Sequence, residues 1–204
     1  MSIWNTLASD AKIETTVTAL KNNGINAIVV ATKEEAKEKV AQLIPQKSEV
    51  MTMTSKTLEE TGIDALINTS GLYDGVKPKL YALDRATQGK QMQQMGATSE
   101  YAVGSVHAVT EDGKVVIASA TGSQIPGYAY GSSHVVFVVG AQKLVKSLDD
   151  AMKRIDEYVL PLESERAKKA YGVPGSVVAK LLIINKEVNP ERISMVIVKE
   201  SLGF

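Results

Sequence analysis

Apolar positions along this chain follow two rhythms, short continuous β-branched runs and longer stretches spaced every three or four residues. Residues 5–22 carry Leu7, Ala11, Ile13, Val17 and Leu20 at helical spacing, and Asn23-Gly24 supplies a stop. Residues 25–31 then read as a buried strand. A charged helix follows over 33–43, with Ala36, Val40 and Leu43 on one side, ending ahead of Pro45, and 49–54 give the next strand. Strand, helix and strand at this spacing predict a parallel α/β unit with a right-handed crossover. Ligands of such sheets gather at the carboxyl ends of the strands.

The second strand leads into Ser55-Lys-Thr-Leu-Glu-Glu-Thr-Gly62, in which Ser55 fits an N-cap, Glu59 and Glu60 occupy the opening turns, and Gly62 ends a short helix. Gly71, Gly75 and Pro78 mark turns in 68–96, with a helix over 79–87. The stretch 99–140 is the densest in signals. Residues 100–110 and 114–119 read as two antiparallel strands joined at Asp112-Gly113. Ala120 to Gln124 then leads into a short helix over 125–130 and an apolar strand over 133–139. A helix starting near Ser123 would present free N–H groups to a phosphate or carboxylate. Leu148, Met152, Ile155 and Val159 trace a helix over 148–160, continued past Pro161 by the solvated run 163–169 and broken by Gly172, Pro174 and Gly175. Residues 180–185 and 192–199 read as two strands turning at Asn189-Pro190, an antiparallel addition to the sheet. The whole is an α/β chain, a single domain over 1–204 with a mixed, mostly parallel sheet flanked by helices. The N-terminal helix opens it, and a helical arm with a strand pair over 148–204 closes it.

Composition narrows the function. The 204 residues hold 23 basic and 23 acidic side chains, interspersed, so no basic stripe or basic-aromatic interleaving invites nucleic acid. There is no cysteine, which excludes disulfides, thiolate nucleophiles and cysteine-ligated clusters within these residues. No apolar run reaches the roughly 20 residues that span a bilayer, and the first residues lack a signal-peptide pattern. The expectation is a cytoplasmic protein without membrane contact.

Four motifs in order give the chain a family likeness. They are Ser55-x-Thr57-Leu58-x-Glu60-x-Gly62, the block Ala108-Val109-Thr110-Glu111-Asp112-Gly113, Thr121-Gly122 with the strand ending Val138-Val139-Gly140, and Ser201-Leu202-Gly203-Phe204. With these the chain resembles the LUD-domain (lactate-utilization) family. That resemblance implies a fold similar to the ribose-phosphate isomerase, glucosamine-phosphate deaminase and CoA-transferase superfamily. It also implies a link to a multi-protein system oxidising L-lactate to pyruvate, in which iron–sulfur partner proteins carry the electrons, although many stand-alone members have no assigned activity. Two departures stand out: residues 171–180 lack the cysteine-rich segment of close relatives, so a redox role would need a partner, and His107 replaces an asparagine common in relatives.

The candidate site residues divide into two lips. Thr121, Gly122, Ser123 and Gln124 form one, as ligand contacts or as a structural turn. Ser55, Thr57 and Glu60 form the other, as contacts or as helix capping. The chain exits at Thr54 and Ser119 are expected to converge on one rim. Glu111 is the first candidate for chemistry, because CoA-transferases of the similar fold form an acyl anhydride on a glutamate, and Glu60 is the second. Asp112 is a further candidate ligand contact, and the alternative for it and Glu111 is a solvated hairpin turn. Gly122-x-x-x-x-Gly127 is no P-loop, since Tyr128 and Ala129 stand where Lys and Ser or Thr are required. His107 and His134 show no metal-ligand spacing, and no Gly-x-Ser-x-Gly elbow occurs. The expected role is binding of a small anionic metabolite, as an accessory in lactate or related organic-acid utilization. The alternatives are a carboxylate-dependent transferase or isomerase-like enzyme and a non-catalytic subunit of a redox assembly. No cofactor is identified, and a homo-oligomer is allowed.

Overall fold

Over residues 2–204, a computed structural model arranges the chain in layers around two sheets. The larger sheet is parallel throughout and runs, in spatial order, β1 (Asn26–Val30), β10 (Ile193–Val198), β7 (His134–Gly140), β4 (Tyr101–Gly104), β2 (Glu49–Thr52) and β3 (Asp74–Gly75). Its middle strands are mostly apolar because both of their faces are covered. On one face, α2 (Lys33–Leu43), α3 (Lys56–Glu60) and α4 (Ile63–Thr69) press Ala36, Val40, Leu58, Ile63 and Ile67 onto Val50, Val103, Val138 and Val196. On the other lie Ile13 and Leu20 of α1 (Asp10–Asn22) and the inner face of the second sheet.

That second sheet orders β8 (Leu144–Val145), β5 (Ala108–Thr110), β6 (Val115–Ser119) and β9 (Lys180–Ile184). Val109, Val115 and Ile117 share a core with Phe137, Val139 and Met195 of the larger sheet. Its outer face packs Ala108, Val116 and Ala118 under Ala151 and Ile155. These belong to one long helix, α7 (Leu148–Arg154) passing through a π-helical turn (Ile155–Val159) into α8 (Leu160–Tyr171). Pro161 has no N–H to give and crowds the carbonyl four residues back, and the widened turn directly ahead of it lets the helix continue. No helix of the described residues is long and apolar enough to cross a membrane.

Several elements differ from the sequence reading. The antiparallel pair expected from 180–185 and 192–199 does not form: β9 pairs antiparallel with β6, whereas β10 inserts parallel between β1 and β7. The patterns explain the separation, since Leu181 and Ile183 are exposed as on an edge strand and Ile193 and Met195–Val198 are buried as in a sheet centre. The strand expected over 100–110 is two strands in two sheets, β4 and β5, with Ser105, Val106 and His107 crossing between them. The helix expected from residue 5 begins at Asp10, where the Ser9 hydroxyl accepts the Lys12 N–H at 3.3 Å. In place of one helix over 79–87 there are α5 (Val76–Tyr81) and α6 (Arg85–Ala97), the second capped by Asp84. Pro78 lies in the first turn of α5, where its missing N–H is not needed. The hairpin at Asp112-Gly113 joins β5 to β6 as expected.

The crossing after β4 depends on Gly104, because a Cβ there would land on the Tyr128 hydroxyl and lie 2.8 Å from Tyr128 Cζ. Tyr128 is fully buried and packs edge-on against Phe137 at 4.8 Å. We predict that Gly104→Ala lowers stability by about 3 kcal/mol. Combining it with Tyr128→Phe should cost less than the sum of the two changes, measured by chemical denaturation.

Candidate functional site

Four strands of the larger sheet end on one edge, and the residues just beyond β2, β4, β7 and β10 meet there. Beyond β7 a tight turn, Ala141–Lys143, directs Gln142 and Lys143 inward. Lys143 is only 2% exposed. Its Nζ donates to Thr57 Oγ1 at 3.0 Å and to Ser105 Oγ at 3.1 Å. Thr57 in turn donates to the Leu202 carbonyl at 3.1 Å, which also accepts from Gln142 Nε2 at 2.9 Å. The Gly203 N–H donates to Glu60 at 2.7 Å. Gly203 has a φ of +59°, and a Cβ on it would stand 2.6 Å from Thr57 Oγ1, so glycine alone fits this approach. Two motifs lying some 145 residues apart are thereby locked together.

The electrostatics of this edge are unusual for a protein interior. Among the described residues, Lys143 has no carboxylate within ion-pairing distance. Burial pushes its amine from 10.5 down to about 7, the Arg154 charge adds to this, and Glu60 opposes it. Arg154 is fully buried, at 0% exposure, and also lacks an acidic partner. Its Nη1 donates to the His107 carbonyl at 2.6 Å, while Nε and Nη2 have no hydrogen-bond partner. Burial lowers Arg154 only to about 10, so it stays charged at neutral pH. His107 Nδ1 accepts the Ala118 N–H at 3.0 Å, which assigns the ring proton to Nε2. Burial, and then the charges of Lys143 and Arg154, push this imidazole down to about 3, so it is neutral. Two buried cations and a neutral imidazole suit an anion. Among the described residues no group of three His, Asp or Glu side chains could hold a metal ion.

The sequence candidates fall into those that join this cluster and those that do not. Thr57 and Glu60 belong to it, and Ser55 caps α3 by accepting the Leu58 N–H at 3.4 Å. Thr121, Gly122, Ser123 and Gln124 close a loop at the end of β6. There the Gly122 N–H donates to Ser119 Oγ at 2.8 Å, the Ser123 N–H to Thr121 Oγ1 at 3.3 Å, and Ser119 Oγ to Gln124 Oε1 at 3.0 Å. The helix expected over 125–130 forms, with helical geometry from Ile125 running into the π turn Gly127–Gly131, but the residues ahead of it are a loop in which the N–H groups of Gly122 and Ser123 are already taken up. The two lips share no direct hydrogen bond. Ser105, Val106 and His107 connect them, with Ser105 on Lys143 and His107 on Ala118, whose carbonyl accepts from Gln124 Nε2 at 3.3 Å.

Glu111 and Asp112 have other partners. Glu111 forms an ion pair with Lys12 of α1 at 3.3 Å. The Asp112 carboxyl is held below the usual range by Lys114 and Thr110. His134 begins β7 at the opposite edge and stacks on Tyr101 at 4.7 Å. Ser105, Lys143 and Arg154 were not among the sequence candidates. For Lys143 a signal existed, as the first lysine beyond the strand exit Val138-Val139-Gly140.

The sequence pattern of the LUD domain matches residues 13–198. Among solved structures, the chain is similar to the crystal structure of a DUF162 family protein from Deinococcus radiodurans, with a TM-score of 0.57 and 11% identity over 95% of this chain and 99% of that one. At that identity the likeness speaks for the fold. No curated protein matches the sequence. The matched span takes in both sheets, the long helix through Arg154 and the loops bearing Thr57, Ser105 and Lys143, and the chain belongs to the LUD domain family.

Proposed function

We propose that this edge of the larger sheet binds a small carboxylate-bearing metabolite, with Arg154 and Lys143 supplying the positive charge. The observation that carries the proposal is Arg154, a fully buried guanidinium that lies over the Tyr158 ring at 5.3 Å but has two nitrogens without hydrogen-bond partners and no acid beside it. A buried charge left in that condition costs several kcal/mol. A carboxylate offers the planar pair of acceptors that a guanidinium fork matches. The family's link to lactate utilization favours 2-hydroxy and 2-oxo acids as the class. Electrons leaving such an acid would pass to a separate iron–sulfur partner, because these 204 residues contain no cysteine. A second reading makes Glu60, the carboxylate acting on Lys143, the acid–base group of a transferase- or isomerase-type reaction.

L-lactate or pyruvate should raise the melting temperature in proportion to occupancy, by about 2.7 kcal/mol of stability at a hundredfold excess over Kd. Arg154→Met and Lys143→Met should each weaken binding tenfold or more. No shift with any small carboxylate would remove the proposal.

The pH dependence has opposite signs for ligand and fold. Lys143 carries its charge below about 7, so carboxylate affinity should fall as pH rises through that value. In the free protein the unfolded chain keeps this proton up to about 10.5 while the folded one loses it near 7. Stability should therefore rise with pH across that window, and Lys143→Met should flatten the rise. For His107 the window lies between about 3 folded and 6.5 unfolded, and stability should be lost as pH falls through it. His107→Asn keeps an acceptor for the Ala118 N–H and should reduce that loss, as read from denaturation at a series of pH values.

A further inference from the structure

We infer that Lys143 forms an imine with the keto carbon of a bound 2-oxo acid, a reading that rests on the carboxylate site proposed above. A lysine ordinarily carries its ammonium out to solvent along its flexible stem. Here the nitrogen ends inside, on two hydroxyl oxygens, Thr57 Oγ1 and Ser105 Oγ. Neither is an anion that would keep the amine protonated. With the amine lowered to about 7 in the free protein, and with Arg154 taking the ligand's carboxylate, part of it is the free base at neutral pH, the form that attacks a carbonyl.

The neighbouring groups suit that step. Arg154 is close enough for its charge to act on Lys143, and its unpartnered nitrogens can hold the carboxylate while the adjacent keto group meets the amine. His107 lies within the field of both cations and has Nε2–H free of the Ala118 contact, so a neutral imidazole can polarise the carbonyl oxygen. Ser105, which accepts from the buried amine, is itself partly exposed.

The chemistry balances without oxidant or reductant. The Nζ lone pair bonds to C2 as the carbonyl π pair moves to oxygen, which takes a proton and gives the carbinolamine. The nitrogen lone pair then expels that oxygen as water while the nitrogen sheds its remaining proton, leaving C=N. Amine and ketone become imine and water. L-lactate, which has no carbonyl, can occupy the site but cannot take this step.

The test is borohydride trapping of the whole protein with pyruvate, read by intact mass and peptide mapping. The expected product is one carboxyethyl group per chain, on Lys143, formed faster as pH rises above neutral and suppressed by excess L-lactate. Lys143→Met should give none, and if that variant does not fold, the mapped position in the unaltered protein decides alone. Adducts spread over exposed lysines, with Lys143 unmodified, would overturn the inference. Stabilisation by pyruvate without labelling of Lys143 would overturn the imine and leave the carboxylate site standing. Absence of both stabilisation and labelling would remove the two together.

Discussion

Lys143 brings an ammonium nitrogen into the protein interior and meets two hydroxyls there in place of a carboxylate, and the organisation of the sheet edge depends on that choice. A buried lysine with an acidic partner is a structural ion pair. One with neutral partners retains both its desolvation cost and its readiness to lose a proton. Arg154 deepens the effect, since its own charge is buried with the Tyr158 ring and the His107 carbonyl for neighbours and no acid to pair with. The one acid that acts on Lys143, Glu60, is exposed and engaged by the Gly203 N–H.

A single short stretch of chain sets both cations. It runs from β7, at the centre of the larger sheet, through Lys143 into β8, and from β8 into α7, which ends at Arg154. The parallel pairing of β8 with β5 places this stretch against Val109 and Thr110, just beyond His107. Helix α7 then packs on the outer face of the second sheet and delivers Arg154 to the His107 carbonyl. Stacking two sheets is therefore what assembles the cluster: the larger supplies Thr57, Ser105 and Lys143 from its strand exits, and the smaller supplies His107 and the platform under Arg154.

Much of the larger sheet was legible in the sequence. The helical stripe of 33–43 and the apolar runs over 25–31, 49–54 and 133–139 appear as α2, β1, β2 and β7 because local pattern and burial agree there. Pairing partners were harder to read. Leu-Leu-Ile-Ile and Ile-Ser-Met-Val-Ile-Val look alike as strands, and only tertiary burial decides that one is an edge and the other a centre. Among site residues, Thr57 and Glu60 were accessible because they follow a strand exit. Arg154 was not, since a charged residue in a helical pattern is assigned to solvent by default, and Lys143 was passed over for the same reason although it too follows a strand exit. The Gly203 contact with Thr57 and Glu60 links remote segments and leaves no local trace.

The most direct measurement is the titration of the Lys143 amine itself, followed by NMR of isotopically labelled lysine side chains and assigned with Lys143→Met. The account predicts a midpoint near 7 in the free protein, moving upward when a small carboxylate is added, as the amine gains the anion it lacks. A midpoint near the ordinary 10.5, unmoved by any carboxylate, would contradict it.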